Sequence, residues 1–243
     1  MTRFIGNGKV LGAPDSVYYL PDFISVEEEQ TLINKVLTAP KPKWVHLKNR
    51  RLQNWGGIVM NNGMIAEPLP TWLTNLHPRF QESGVFDGLH PTLNEPNHCL
   101  VNEYLAGQGI LPHKDGPAYL PTVATVSLSS HCILEFYKCP TDSEPRMDSP
   151  SDSRNQEPEF SILVQPRSLL VLKSDVYKIY MHGIREITVD NLAEGNILNL
   201  KEAIPGMDLS EARAQQLERG TRISLTFRIV EKTKSGKKFL FGR

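Results

Sequence analysis

Short runs of apolar or alternating residues, separated by turn residues, make up most of the second half of this chain. Runs of about four to eight such residues, bounded by turns, predict β-strands. Their regular spacing is typical of a sandwich or jelly roll. We predict strands at 98–105, 122–128, 131–137, 159–164, 167–173 and 222–230.

Helices are predicted nearer the N-terminus. Ser25 and Glu28 have the spacing of a capping box, and the apolar residues that follow them recur at helical intervals. A helix is therefore expected from about 26 to 38, ending at the proline-rich segment that follows. A second helix is expected to begin after Pro70. Between them, residues 43–66 are rich in Trp, Arg, Asn and Gly and predict irregular hairpin structure.

Two segments interrupt the predicted strands. Residues 138–158 contain almost no large apolar side chain, so we expect a mobile loop there. Residues 186–220 are less polar, and Asp208 with Glu211 predicts a short helix that ends near the close of this segment. The chain finishes on a basic tail, 231–243, for which we expect a solvated terminus.

Composition and charge exclude several classes of protein. With 243 residues, 40% of them hydrophobic, we expect a single domain over 1–243, of α+β class but mainly β. Basic and acidic residues number 27 each, so no global field indicates a polyanionic partner, although a local basic stripe would suffice. No run of about 20 apolar residues is present, so we expect no membrane span. The three cysteines, Cys99, Cys132 and Cys139, are too few and odd in number for a disulfide framework. They therefore indicate reduced thiols in an intracellular protein.

The pattern His113-x-Asp115, followed later by His182, predicts metal chemistry. Residues i and i+2 of an extended segment point the same way, so His113 and Asp115 could bind one metal from a single strand end. Two imidazoles and one carboxylate form a facial triad, which leaves positions open on iron(II) for a co-substrate and dioxygen. Considered alone, His182 would be read first as a hydrogen-bonded loop or core histidine.

The last predicted strand carries Arg222, Ser224, Thr226 and Arg228 on one face. Guanidinium groups bind carboxylates in bidentate fashion, so a pair of inward-facing arginines suits a dicarboxylate. The same face could also be the solvated side of an edge strand. Because each part lies where a strand or strand end is expected, the parts together predict an iron(II)- and 2-oxoglutarate-dependent oxygenase.

Further motifs accompany these residues. Asn102 and Tyr104 share a strand face, and the strand after the triad would place Ser127 toward the same cavity. The motifs are Gln53-Asn-Trp-Gly-Gly57, Asn102-x-Tyr104, His113-x-Asp-Gly-Pro-x-Tyr119, Val-Ser127-Leu, His182-Gly183 and Arg222-x-Ser-x-Thr-x-Arg228. Over residues 17–230 they resemble the AlkB-type dioxygenases, and among these the eukaryotic AlkB homologue 6 branch.

The resemblance implies a double-stranded β-helix (jelly-roll) core with N-terminal helices and loops like a nucleotide-recognition lid. It implies that His113, Asp115 and His182 hold Fe(II), with dioxygen and 2-oxoglutarate as co-substrates. It also implies demethylation of N-methylated nucleobases in DNA or RNA, releasing formaldehyde, succinate and CO2. Arg222 would bind the C5 carboxylate of 2-oxoglutarate and Arg228 would lie near C1. The full set implied for 2-oxoglutarate is Asn102, Tyr104, Ser127, Arg222, Ser224 and Arg228.

This sequence also departs from the AlkB pattern. Pro117 stands where an acidic residue commonly contacts the substrate base, and Ser224 replaces the usual asparagine between the two arginines. The interval from His182 to Arg222 is longer than in the bacterial members. The resemblance therefore carries over better for iron and 2-oxoglutarate than for the substrate.

Several substrate hypotheses are open. Arg50, Arg51 and Trp55 lie where the resemblance puts the lid, and arginine and indole suit phosphate contact and base stacking. Single- or double-stranded nucleic acid is therefore the expected partner, in a nuclear and cytoplasmic protein. Alternatively, Trp44 and Trp55 could close the core beside merely solvated basic residues. The chain could then oxidise protein or lipid side chains, or bind nucleic acid with little turnover.

Overall fold

Two antiparallel β-sheets packed face to face form the centre of the structure, a computed structural model that describes residues 4–139 and 157–235. The strands are β1 (Val17–Leu20), β2 (Trp44–Leu47), β3 (Arg50–Trp55), β4 (Gly57–Met60), β5 (Gly63–Ala66), β6 (His98–Tyr104), β7 (Ile110–His113), β8 (Thr122–Leu128), β9 (Cys132–Lys138), β10 (Phe160–Val164), β11 (Leu169–Lys173), β12 (Tyr180–Ile184), β13 (Val189–Asn191), β14 (Gln216–Glu218), β15 (Arg222–Arg228) and β16 (Thr233–Ser235). The helices are α1 (Val26–Leu37), α2 (Thr71–Thr74), α3 (His77–Ser83), α4 (Ser174–Ile179), α5 (Leu200–Ala203) and α6 (Leu209–Arg213), with short 3-10 helices at Phe4–Gly8 and Lys41–Lys43.

The larger sheet has the strand order β1-β11-β8-β15-β6-β3-β2, and the smaller one β10-β9-β12-β7. The protein is thus mainly β with a jelly-roll core, as predicted. The predicted strands are present as β6, β8, β9, β10, β11 and β15, and their ends lie within about two residues of the expected positions.

Alternation along β15 separates two layers. Ile223, Leu225 and Phe227 face a cluster of buried apolar residues that includes α1 and α3. The intervening side chains, from Arg222 to Arg228, face the smaller sheet and line a cavity. Because β15 lies between β6 and β8, the same alternation brings side chains from both neighbours to that cavity.

The helix predicted after Ser25 is confirmed as α1. The Ser25 hydroxyl accepts from the Glu28 backbone N–H at 3.2 Å, and the Glu28 carboxylate accepts from the Ser25 N–H at 2.7 Å, which completes the capping box. The buried Gln53 side chain donates to the Val36 carbonyl at 2.9 Å and so ties α1 to β3. The helix predicted after Pro70 begins there but is divided into α2 and α3.

Residues 43–66 are more regular than predicted, because they form the hairpins β2–β3 and β4–β5. Gly56 and Gly57, both at positive φ, lie where β3 passes into β4 and the first hairpin gives way to the second. A Cβ atom at Gly56 would lie 2.1 Å from the Asn97 carbonyl oxygen, so the close backbone approach requires glycine. The turn carries the chain from the large sheet into a small sheet of order β16-β5-β4.

The insertion at 186–220 contains the β13–β14 pair and helices α5 and α6. The Arg219 guanidinium donates to both oxygens of the fully buried Asp190, at 2.7 Å each, and anchors the insertion. The predicted helix after Asp208 is confirmed as α6, and Asp208 accepts from the backbone N–H groups of Ser210 and Glu211. It ends at Arg213, earlier than predicted, because the chain returns as β14.

Most of the loop predicted at 138–158 and the end of the tail predicted at 231–243 lie outside the described residues. Within the described part of the tail, β16 pairs in parallel with β5, and its side chains are exposed. None of the helices in 4–139 and 157–235 is long and apolar enough to cross a bilayer.

Candidate active site

Two neighbouring strands of the smaller sheet bring the predicted metal ligands together. His113 ends β7, Asp115 follows two residues later, and His182 lies directly opposite His113 in β12. The two imidazole rings are 4.6 Å apart between centroids. One ligand atom from each of the three side chains lies within 4.8 Å of the others. This donor set fits an iron(II) ion bound on one face.

The environment leaves both histidines able to bind a metal. The Leu111 carbonyl, 2.9 Å from His113 Nδ1, can only accept a hydrogen bond. His113 Nδ1 must therefore carry the proton, which leaves Nε2 free as a ligand. For His182, desolvation by the surrounding protein lowers the pKa to about 4, although Asp115 opposes the shift. The His182 ring is thus neutral near pH 7, as a metal ligand requires.

Arg228 holds the carboxylate of Asp115. Its Nη2 donates to Asp115 Oδ1 at 2.6 Å and its Nε to Oδ2 at 3.3 Å, and the side chains are 5% and 8% exposed. Burial alone would raise the pKa of Asp115, but Arg228, helped by His182, outweighs burial and holds that pKa below its ordinary value. The Asp115 carboxylate is therefore ionised at neutral pH. Arg228 Nη1 is buried without a hydrogen-bond partner among the described residues.

Arg222 forms the opposite end of the site. Its Nη2 donates to Ser127 Oγ at 2.8 Å, and in residues 4–139 and 157–235 no group accepts from its buried Nε. A buried, unsatisfied polar group costs about 1–3 kcal/mol, and more when charged. A carboxylate would satisfy the free guanidinium nitrogens here, so the residues fit a dicarboxylate ligand.

Tyr104 lies opposite Arg222 in the register of β6 and β15. Burial raises the pKa of Tyr104, and the guanidinium groups of Arg222 and Arg50 oppose that rise. The phenol is therefore protonated at neutral pH and can donate a hydrogen bond to an anion at this end of the site.

The cavity between the two sheets has a volume of about 260 Å³. This is slightly below the range of roughly 300–1,000 Å³ usual for ligand pockets, so it suits a small metabolite. Its apolar wall includes Leu134, Val164, Leu170 and Leu172. The residues predicted to bind the metal or 2-oxoglutarate that line it are Asn102, Tyr104, His113, Asp115, His182, Arg222, Ser224 and Arg228. Ser127 is buried behind Arg222, with which it forms its hydrogen bond.

Alternation along β3 separates the three residues predicted to contact substrate. Arg50 lines the cavity, and its Nε donates to Asn102 Oδ1 at 3.2 Å. Arg51 is on the other face of β3, where it donates to both oxygens of Glu103 and lies 4.1 Å above the Trp44 ring. The structure therefore does not bring Arg51 to the cavity.

Trp55 also faces away from the cavity. Its Nε1 donates to Gln53 Oε1 at 2.9 Å, and its ring packs edge-on against Trp72 at 5.6 Å. Both Trp44 and Trp55 pack against the apolar cluster between the larger sheet and the helices. This arrangement agrees with the alternative in which the two indoles close the core.

Two residues of the site were given no role from sequence. The Tyr119 ring lines the cavity and lies 4.8 Å from the Arg228 guanidinium carbon. The His98 ring is 5.5 Å from that of Tyr119, and both of its nitrogens are buried without a partner in the described part of the chain. Burial, and secondarily Arg228, lowers the pKa of His98 to about 3. The sequence does contain a signal for His98, because its position in β6 places it on the same strand face as Asn102 and Tyr104.

Known proteins are similar to this chain along most of its length. Residues 53–228 match the family model described as the 2OG-Fe(II) oxygenase superfamily. The sequence is 46% identical over 220 residues to "Probable RNA/DNA demethylase ALKBH6" of Danio rerio, covering 90% of this chain and 88% of that protein.

A second relative, "Alkylated DNA repair protein ALKBH8 homolog" of Arabidopsis thaliana, is 28% identical over 188 residues, which are 73% of this chain and 53% of that protein. Among solved structures, OsALKBH1 has a TM-score of 0.54 at 14% identity, over 90% of this chain and 99% of that one. This last similarity shows a shared fold.

Proposed function

Because this chain belongs to the 2OG-Fe(II) oxygenase superfamily, we propose that it removes N-methyl groups from nucleobases of DNA or RNA by oxidation. It is an oxidoreductase that uses Fe(II), 2-oxoglutarate and dioxygen. When bound, these supply the oxidation: one oxygen atom hydroxylates the methyl carbon, the other enters succinate as 2-oxoglutarate loses CO2, and the hydroxymethyl group leaves as formaldehyde. The protein's own contribution is to bind, orient and shield the reactants.

In this proposal His113, Asp115 and His182 hold the iron. The Leu111 carbonyl orients the His113 ring, and Arg228 keeps Asp115 ionised and in one position. Partners of this kind, which hold ligands in place from outside the metal shell, stabilise metal binding in proteins generally.

The same proposal assigns 2-oxoglutarate to the two arginine ends of the cavity. Arg222, oriented by Ser127 and assisted by Tyr104, would bind the C5 carboxylate. Asn102 and Arg228 would lie near the C1 carboxylate, and Ser224 lies in register with Asn102 on the wall between them. Arg222 and Tyr104 would donate to one carboxylate, and Asn102 with the free Nη1 of Arg228 would donate to the other, which gives both affinity and a single orientation.

The observation that carries the nucleobase proposal is a groove next to the cavity, with a volume of about 320 Å³. Tyr119 lines both spaces. No side chain along the groove is charged, so it suits an uncharged planar group better than a phosphate or a charged side chain. The lining residues are Asn54, Ile58, Val59, Met60, Asn61, Gly116, Pro117, Ala118 and Tyr119.

Amide and aromatic groups beside an apolar surface are suitable for holding a base by stacking and by hydrogen bonds to its edge. The Danio rerio relative is named as a probable RNA/DNA demethylase, which supports the same substrate class. A base must leave the helical stack before a methyl group on it can reach a triad inside a cavity, and this costs least in a single strand. We therefore propose single-stranded nucleic acid as the preferred form.

Mass spectrometry of methylated oligonucleotides tests the proposal. Incubation with protein, Fe(II), 2-oxoglutarate and air is expected to shift the oligonucleotide mass by loss of one methylene unit, with matching formaldehyde and succinate. The His182→Ala variant is the control. If succinate forms but no methylated DNA or RNA oligonucleotide changes mass, whereas a peptide gains oxygen, the nucleobase proposal is wrong.

Tyr119 provides a second test. Tyr119→Ala is expected to weaken binding of a single-stranded methylated oligonucleotide by about tenfold, because base–aromatic stacking contributes about 1–3 kcal/mol per base. Tyr119→Phe keeps the ring and should bind almost as the natural protein does. Fluorescence anisotropy gives both affinities. Equal affinities for the alanine and phenylalanine variants would show that the ring does not contact the nucleic acid.

A further inference from the structure

Arg50 is one of three arginines that line the cavity, and it comes from the edge region of the larger sheet, on β3. It extends toward the cavity because strand side chains alternate, while Arg51 is committed to Glu103 on the opposite face. Among the described residues, the single hydrogen bond of the Arg50 side chain is the one that its Nε donates to Asn102 Oδ1.

This hydrogen bond fixes which way the Asn102 amide is turned. A guanidinium group only donates hydrogen bonds, so the amide atom that faces Arg50 must be the oxygen. The amide NH2 is then the group with which the buried Asn102 can reach a ligand in the cavity. A carboxylate accepts hydrogen bonds and would be repelled by the amide oxygen. The orientation imposed by Arg50 is therefore the one that binds a carboxylate.

Charge in the cavity agrees with this orientation. Besides two tyrosines, the ionisable side chains that line it are three arginines, Asp115 and the two histidines. Asp115 forms its ion pair with Arg228, which leaves the guanidinium groups of Arg50 and Arg222 without a carboxylate partner among the lining residues. Of these two, Arg222 has a buried Nε without a partner in the described part of the chain and can bind a carboxylate directly, whereas Arg50 is hydrogen-bonded to Asn102.

We infer that Arg50 is a positioning residue for 2-oxoglutarate, which holds the Asn102 amide with its NH2 toward a carboxylate of the co-substrate. This differs from a contact with the phosphates of a nucleic acid, the role that its place in the sequence suggests. The inference rests on the co-substrate of the superfamily and is independent of the methylated substrate.

A double-mutant cycle tests this role through the affinity for 2-oxoglutarate. Calorimetric titration of the Mn(II)-loaded protein with 2-oxoglutarate, without oxygen or nucleic acid, measures binding directly. Arg50→Met is expected to weaken binding by about tenfold in the natural background. In an Asn102→Ala background, where no amide remains to be oriented, the same change should have an effect of less than about twofold.

Two further variants complete the design. Arg50→Lys keeps a donor near the Asn102 oxygen and should recover most of the affinity. Lys48→Met removes one positive charge from an exposed position two residues away and should leave the affinity unchanged. In uncoupled turnover, Arg50→Met should raise the KM for 2-oxoglutarate with little change in kcat, which a general loss of folded protein would not do.

Each outcome decides for or against the inference. A loss of affinity that disappears in the Asn102→Ala background supports it. A loss that persists there means that Arg50 acts without Asn102, and unchanged affinity means that it does not serve the co-substrate; either result overturns it. Unchanged 2-oxoglutarate binding with a flatter salt dependence of oligonucleotide binding would assign Arg50 to phosphate contact. Because the titration uses no methylated substrate, its result does not depend on whether the nucleobase proposal is right.

Discussion

Replacement of His182 by alanine is expected to abolish succinate formation from 2-oxoglutarate while leaving the fold intact. His182 supplies one of three protein ligands to a metal that must also keep positions open for its co-substrates, so the loss of one imidazole weakens metal binding directly. Succinate release measures activity, equilibrium dialysis measures metal binding, and circular dichroism measures folding. Succinate production at the level of the natural protein would show that His182 is not a ligand.

His182 is a better position than Asp115 for testing the metal site by substitution. Asp115→Ala would also remove a ligand, but it would leave the Arg228 charge buried and unpaired, which costs about 3–5 kcal/mol of folding free energy. Loss of activity in that variant could therefore come from unfolding. His113→Ala is the better matched second variant, because the hydrogen bond lost with its ring is to the backbone carbonyl of the exposed Leu111.

Arg222→Ala is expected to weaken 2-oxoglutarate binding by at least about tenfold and to change metal affinity little. The substitution removes a charge-assisted pair with a carboxylate in a buried site, which contributes roughly 1.5–3 kcal/mol. Arg222 forms its hydrogen bond with Ser127, whereas Arg228, at the other end of β15, is the arginine that pairs with the metal ligand Asp115. Loss of Arg222 therefore removes no direct contact to a metal ligand. Calorimetry with 2-oxoglutarate and with Mn(II) measures the two affinities separately.

Two graded variants make this result specific. Arg222→Lys keeps the positive charge but loses the fork, so its affinity should lie between those of the alanine variant and the natural protein. Ser127→Ala removes the hydroxyl that orients Arg222 and should have a smaller effect than Arg222→Ala. Unchanged 2-oxoglutarate affinity in Arg222→Ala would move the carboxylate partner elsewhere, with Arg228 as the first candidate.

The strands of the core and the first helix could be predicted because their signals are local. A capping box at Ser25 and an alternating run at Arg222–Arg228 each lie within one element. The segment 43–66 was predicted less well, because polar residues and glycines conceal regular hairpins. Its regularity comes from pairing with β6 and from the glycine turn against Asn97, and both are long-range contacts.

The site residues can also be divided into those that local patterns predict and those that long-range contacts place. The grouping of Arg50, Arg51 and Trp55 into one nucleotide-binding surface rests on the resemblance to a nucleotide-recognition lid and on their residue types. In β3 they alternate, so that Arg50 lines the cavity while Arg51 and Trp55 pack against Glu103, Trp44 and Trp72. Parity along the strand would have separated them, but only if the segment had been predicted as a strand.

The sequence by itself determined the donor set of the metal site and the arginine face of β15, because residue types and a two-residue period are sufficient for both. Tertiary structure decided which remote side chains meet. It set His182 opposite His113, oriented the Asn102 amide through Arg50, and made Tyr119 part of the lining of both the cavity and the groove. These depend on strand register and on packing between sheets. Contacts between residues far apart in the chain follow from the folded backbone, and local patterns do not contain them.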